Sequence, residues 1–218
     1  MIDFIIPTMW KNTDFPLYIE QYLKFEQINK IIIIDNNHLQ RPKALNFNNP
    51  KIHIVNFNKN IFVNPAWNEG YYRSTSDILC IINDDVFVEE DLINYVSPLD
   101  FSNIDIIGTS FPSLKENNIL LKKIEVDKTK ALGSQHYGFG CCMFIPKLKY
   151  SIIPSIYKVW FGDDFLINKL DNIYIINSNK IYGQMSLTVG NNDSNSEISK
   201  RINLDTTNAY KFLFGRVM

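Results

Sequence analysis

Two pairs of adjacent aspartates are the residues of this sequence best suited to chemistry. The first, Asp84 and Asp85, closes an Ile-rich apolar run that begins at Asp77 and resumes as Val86-Phe87-Val88, with Asn83 just ahead of the acids. Such a run predicts a strand buried on both faces, as in a parallel sheet covered by helices. Ligands of open α/β sheets bind beyond the carboxyl ends of these strands. Two carboxylates placed there repel each other unless a cation or protein donors stand between them, and a metal is the economical answer. The plainer alternative is that they only cap the turn into a helix beginning near Glu89. The second pair, Asp163 and Asp164, follows Trp160-Phe161-Gly162 and falls in the first turn of a helix predicted to run to about Leu170. First-turn acids also have a purely structural reading, because the helix dipole stabilises them and lowers their pKa, a lowering that partial desolvation by Trp160 and Phe161 would offset.

The elements that position these acids alternate between strand and helix. Residues 2–7 predict a strand stopped at Pro7-Thr8, and Thr13 or Asp14 caps a helix with Pro16 in its first turn. Lys30 to Asp35 is a second buried strand, which brings Asp35 to the same sheet edge. A third strand is expected over Ile52 to Phe57. Asn64-Pro65 reads as a helix cap followed by the first helical residue, leading into the central strand. Alternation of this kind implies an α/β fold: a mostly parallel sheet flanked by helices, with right-handed crossovers. No Gly-x-Gly-x-x-Gly and no Walker loop follows any strand, so a dinucleotide site or a P-loop is not expected. Further on, the pattern predicts a strand over Ile104 to Phe111, a hairpin arm over Ile119 to Val126 and a Gly- and Lys-containing loop over Asp127 to Tyr137. Then come a glycine-led strand over Gly138 to Pro146, two short strands at Ile173–Ile176 and Lys180–Tyr182, and a link at Gly190–Asn195 to a C-terminal helix. We expect one domain over residues 1–218, with a first half to about residue 100, a smaller mixed half to about 190, and the C-terminal helix over about 191–218.

Composition narrows the function. The 22 basic and 23 acidic side chains nearly cancel and no Lys/Arg block stands out, which argues against a nucleic-acid partner. Cys80, Cys141 and Cys142 have neither zinc-site spacing nor an even number, so they read as reduced core residues in a cytoplasmic setting. Residues 2–6 are too short for a signal-peptide core and no run reaches transmembrane length, so a soluble protein with neither leader nor membrane span is expected. His38, His53 and His136 form no metal-ligand pattern; only His136, in a glycine-flanked loop, is a candidate substrate contact.

Taken together, Pro7-Thr8, Asp35, Asn60, the Ala66-x-Asn68-x-Gly70 helix, Asp77 with the strand to Asn83-Asp84-Asp85, and Gly162-Asp163-Asp164 resemble the GT-A glycosyltransferases, in particular the inverting family-2-like members. The likeness runs to about Thr188. It implies transfer of a sugar from a nucleotide sugar, most simply a UDP-sugar, to a hydroxyl acceptor by single displacement. In that reading Pro7, Thr8, Asp35, Asn68, Asn83 and Asp84 face the donor, Asp85 holds Mn²⁺ or Mg²⁺, and Asp164 with Asp163 supplies the base. Arg73 is a candidate phosphate or base contact, Trp160 and His136 stand on the acceptor side, and Trp67, where many relatives carry Arg, reads as packing. Two departures matter: the acidic triplet opens with Asn83, and Gly183, ahead of Gln184-Met185-Ser186-Leu187-Thr188, stands where many relatives place a metal-binding His. Two other functions remain open. A sugar-1-phosphate nucleotidyltransferase needs a Gly-rich basic loop where this chain has Thr8-Met9-Trp10-Lys11-Asn12. A non-catalytic nucleotide-sugar-binding module is the other.

Overall fold

A computed structural model describes residues 1–43, 48–109, 118–183 and 196–215. The first half follows the expected alternation: β1 (Ile2–Thr8), α1 (Phe15–Tyr22), β2 (Ile28–Asp35), β3 (Ile52–Asn56), α2 (Val63–Arg73), β4 (Ile78–Ile82), β5 (Val86–Val88) and α3 (Glu90–Val96). After it come β6 (Ile106–Thr109), β7 (Leu120–Lys123), β8 (Cys142–Pro146), α4 (Gly162–Ile167), β9 (Ile173–Asn177), β10 (Ile181–Gly183) and α5 (Glu197–Phe212). One eight-stranded sheet has the order β3-β2-β1-β4-β8-β6-β9-β7, and β10 with β5 forms a separate two-stranded sheet. Strands β3, β2, β1 and β4 are mutually parallel, whereas β8 runs antiparallel between β4 and β6. Among the described residues no helix is long and apolar enough to cross a membrane.

Period-two alternation divides the core between the two faces of the sheet. Ile2, Phe4, Ile6, Cys80 and Ile82 pack with Tyr22 of α1 and with Leu92 and Ile93 of α3. Ile5, Leu79 and Ile81 face the other way, toward Trp67 of α2, Leu166 of α4 and Ala209 of α5. The central strands are therefore covered on both sides, which is why they read as continuous apolar runs. At the edge away from the acids, the buried Asp3 carboxylate accepts from Asn29 Nδ2 (2.8 Å), Ser74 Oγ (2.7 Å), Ser76 Oγ (2.9 Å) and the backbone N–H groups of Thr75 (2.6 Å) and Ser76 (2.9 Å). That cluster ties the start of β1 to the turn between α2 and β4.

Several local expectations need correction. The apolar run from Asp77 to Val88 is two strands in two sheets, because the turn at 83–85 redirects the chain: Val86 N–H bonds to Asn83 O (3.2 Å) and β5 then pairs with β10. Asn64 does not cap α2. The helix starts two residues earlier than expected, at Val63, behind Phe62 at a left-handed φ of 68°, and the Asn64 amide donates across to Trp160 O (2.9 Å). Asp14 precedes α1 without a side-chain cap bond, the turn being closed by Asp14 N–H to Asn12 Oδ1 (3.0 Å). Residues 120–123 pair antiparallel with β9 at the sheet edge, and so are not a hairpin arm with their neighbours. The glycine-led segment becomes strand only from Cys142, after a 3₁₀ turn at Phe139–Cys141. The link at 190–195, the segment 184–188 and the end of the strand expected to reach Phe111 lie outside the described residues.

Candidate active site

The parallel strands deliver their C-terminal residues to one edge, and β1 and the β4–β5 turn meet there. Thr8 Oγ1 donates to Asp84 Oδ2 (2.5 Å), while Asn12 Nδ2 donates to the Asp84 carbonyl (2.6 Å). Beneath the turn, the buried Tyr22 hydroxyl accepts from Val88 N–H (3.2 Å) and donates to Val86 O (3.3 Å), fixing the strand that leaves the acids. Asp84 and Asp85 are 8% and 7% exposed. Burial raises the Asp84 carboxyl to about 6, against the Thr8 hydroxyl bond and with help from the charge of Asp85.

A cleft of about 550 Å³ opens over this edge, large enough for a small-molecule ligand. It brings Pro7, Thr8, Asn83, Asp84 and Asp85 together with Trp160, Asp163, Asp164 and His136. Cys141 sits between the acidic pairs: burial first, then the charges of Asp85 and Asp163, pushes its thiol up to about 12. The thiol is thus kept protonated. Phe62 (φ 68°) and Phe161 (φ 62°) both line the cleft in left-handed backbone, a conformation that costs non-glycine residues free energy and persists where the surroundings impose it.

The Asp163–Asp164 pair opens α4, yet the helix end does not decide its titration. Burial is the largest influence on Asp164 and the charge of Asp163 the next; against the Leu132 N–H bond (2.6 Å to Asp164 Oδ1), they push its carboxyl up to about 8. Burial also raises Asp163. Both carboxyls are thus held above the usual carboxylate range, in each case by burial first. Desolvation thus outweighs the lowering that the helix dipole alone would give. Gly162 is required by close approach, since a Cβ there would stand 2.2 Å from Asn64 Oδ1 and 2.8 Å from Trp67 Cζ3.

Three donor-side candidates stand away from the cleft lining. Asp35 is 1% exposed and its oxygens accept from Trp10 Nε1 (2.9 Å), Asn37 N–H (3.0 Å) and Arg41 Nε (2.7 Å). Its register partner Thr8 and its neighbour Asn36 do reach the cleft. Asn68 docks residues 150–153, accepting from Tyr150 Oη (2.8 Å) and Ile153 N–H (3.0 Å) and donating to Ile153 O (2.9 Å). Arg73 pairs with Glu69 one turn back and lies over the Phe57 ring at 5.9 Å. Trp67 lines the cleft floor and packs in the core. Sequence reading passed over Asn36, Met9 and Phe139 in the lining; only adjacency to Asp35, Thr8 and Gly138 could have marked them.

The donor set suits a divalent cation. Two buried carboxylates stand at one turn, and no Lys or Arg is among the described residues lining the cleft. No three His, Cys, Asp or Glu side chains gather as a ligand set among the described residues. Mg²⁺ and Mn²⁺ accept one or two carboxylates and complete their shells with phosphate and water. Gly183, paired with Val86, lies against this turn so closely that a Cβ would fall 2.0 Å from Asp85 O. A histidine at 183 has no room with this backbone.

No protein-family model matches the sequence, and no curated protein matches it. Solved structures do. S. aureus TarS 1–349 superposes with a TM-score of 0.60 at 10% identity, covering 97% of this chain and 72% of that one. The same TarS segment in complex with UDP-GlcNAc gives 0.59 at 8% identity, over 97% and 73%. HddC from Yersinia pseudotuberculosis gives 0.53 at 17% identity, over 84% of this chain and 92% of that one. Against a longer TarS chain, this one spans 44% of the length. At these identities the likeness concerns architecture, and this chain has the GT-A-like α/β fold it shares with TarS and HddC.

Proposed function

We propose that the protein is a nucleotide-sugar-dependent glycosyltransferase, using a UDP-sugar and a hydroxyl acceptor in a single, inverting displacement. The observation that carries this reading is one cleft lined by both acidic pairs, Asp84–Asp85 and Asp163–Asp164. The TarS segment was solved with UDP-GlcNAc, which supports a UDP-sugar donor for the same fold. Asp85, with Asp84 beside it, would hold Mn²⁺ or Mg²⁺, and that ion when bound supplies charge neutralisation for the diphosphate.

The chain's own residues account for the remaining steps. Thr8 and Asp84 fix the donor-side wall, and Trp160, 46% exposed, offers an aromatic face to an acceptor beside His136. Asp164, once ionised, takes the proton of the acceptor hydroxyl. The acceptor oxygen then bonds to the anomeric carbon as the bond from that carbon to the diphosphate breaks, releasing UDP. Attack opposite the leaving group inverts the anomeric centre. The alternative nucleotidyl transfer gains nothing from the first loop, where Thr8, Trp10 and Asn12 are bonded to one another's turn, to Asp35 and to Asp84.

A panel of nucleotide sugars tests this reading by thermal shift with and without Mn²⁺, followed by assay for released UDP. A ligand that binds only the native state raises apparent stability. UDP-sugars should stabilise most, and more with Mn²⁺. A preference for GDP-sugars would overturn the donor assignment, and binding without UDP release in the presence of acceptors would make the protein a binding module.

A further inference from the structure

α5 lies outside the sheet, yet one of its side chains grips the segment that carries half of the site. Asp205 is 0% exposed. Its carboxylate accepts the backbone N–H groups of Lys158 (2.9 and 3.0 Å), Val159 (2.6 Å) and Trp160 (3.0 Å). Three consecutive amides converging on one anion make a backbone nest, with the anion supplied from the same chain. The segment leaves the nest through Phe161, at φ 62°, directly into α4 and the Asp163–Asp164 pair.

The same segment is held from its other side by α2. Asn64 N–H donates to Lys158 O (3.0 Å) and Asn64 Nδ2 donates to Trp160 O (2.9 Å). Asn208 of α5 adds a bond to Ile156 O (3.3 Å). The N–H groups of Lys158, Val159 and Trp160 and the C=O groups of Ile156, Lys158 and Trp160 are therefore held by two helices far apart in the chain. Val159, Trp160 and Phe161 line the cleft.

Burying a carboxylate is costly unless it is paired or hydrogen-bonded. Three charge-assisted bonds offset that cost, and all three act on the segment that aims Trp160 and the dyad. We infer that Asp205 is a positioning residue for the catalytic pair, and that α5 is an integral part of the active site. This rests on the proposed transferase reading. A displacement of about 1 Å in a catalytic group costs up to roughly 10²-fold in rate, which sets the scale of the expected effect.

Asp205→Asn keeps the shape and one carbonyl acceptor, and Asp205→Ala removes both. For Asp205→Asn, UDP affinity and donor KM should stay within about twofold of the parent, while kcat falls roughly 10-fold; Asp205→Ala should fall roughly 10²-fold. Amide hydrogen exchange at Lys158, Val159 and Trp160 should accelerate in both, with protection in β1 and β4 retained. If Asp205→Ala fails to fold, Asp205→Asn alone decides. Parent-like kcat per folded molecule in Asp205→Asn, or unchanged exchange at those three amides, would overturn the inference. A parent protein that turns over no nucleotide sugar would instead overturn the transferase reading, and the exchange result would still show whether Asp205 holds the segment.

Discussion

Asp163→Asn should move the pH dependence of transfer without abolishing it. In the parent, Asp164 is raised to about 8, first by burial and next by the charge of Asp163. A base with that pKa is ionised in roughly one molecule in ten at pH 7, so kcat should climb roughly tenfold between pH 7 and about 9 and then level off. Replacing Asp163 by Asn removes the like charge but leaves burial in place, so the inflection must fall below the parent's. Asp84, at about 6, and His136, lowered by burial, titrate in the same cleft toward the acid end of the profile, below the parent's Asp164 limb. Lys128 and Lys130, which share a small hollow with Asp164, are paired with Asp171 (3.1 Å) and Asp127 (2.8 Å). Tyr157, raised by burial and by the charges of Asp205 and Asp164, stays protonated through that range. The assay is UDP release at saturating donor and acceptor from pH 5 to 10, with the inflection as readout. A flat parent profile, or an inflection unmoved by Asp163→Asn, would refute the base assignment.

Stability should follow the opposite sign. Because the folded-state pKa of Asp164 lies above its unfolded value, its stabilising contribution is complete below about pH 4 and is lost as pH rises through about 8. Asp164→Asn should therefore gain stability relative to the parent as pH increases, measured by urea titration at pH 5 and pH 9. Gly183→Ala forces a Cβ to within 2.0 Å of Asp85 O, so β10 must part from β5. That should cost about 1–3 kcal/mol and weaken Mn²⁺-dependent UDP binding, read by calorimetry. Asp85→Ala should abolish the Mn²⁺ dependence of UDP binding, while Asp84→Ala, by releasing Thr8, should weaken UDP even without metal; an unchanged Mn²⁺ dependence in Asp85→Ala would remove the metal assignment.

The sequence shows where the acids are delivered better than it shows how they are held. Ile-rich runs covered on both faces are unambiguous, and their C-terminal acids must surface at one edge, so Asp35, Asp84 and Asp85 could be placed there from the pattern. Partition of the 77–88 run between two sheets was not legible, because Val86-Phe87-Val88 is as apolar as the strand before it and only the register with Ile181–Gly183 separates them. Asn64 before Pro65 satisfies a local capping rule, but a carbonyl from residue 160 takes its amide. Asp205 was illegible for the same reason. It is one acid in a polar helix, and its three partners lie at 158–160, nearly fifty residues away. The titration of Asp164 turned on burial, which the flanking Trp160 and Phe161 suggest but a first-turn position alone does not.

The anomeric configuration of the product tests the account most directly. NMR of the glycoside formed from an α-linked UDP-sugar reads it without reference to which residues act. A single displacement with Asp164 as base predicts a β-linked product and loss of that product by roughly 10²- to 10⁴-fold in Asp164→Asn, with UDP affinity kept. An α-linked product, or parent-like turnover in Asp164→Asn, would contradict it.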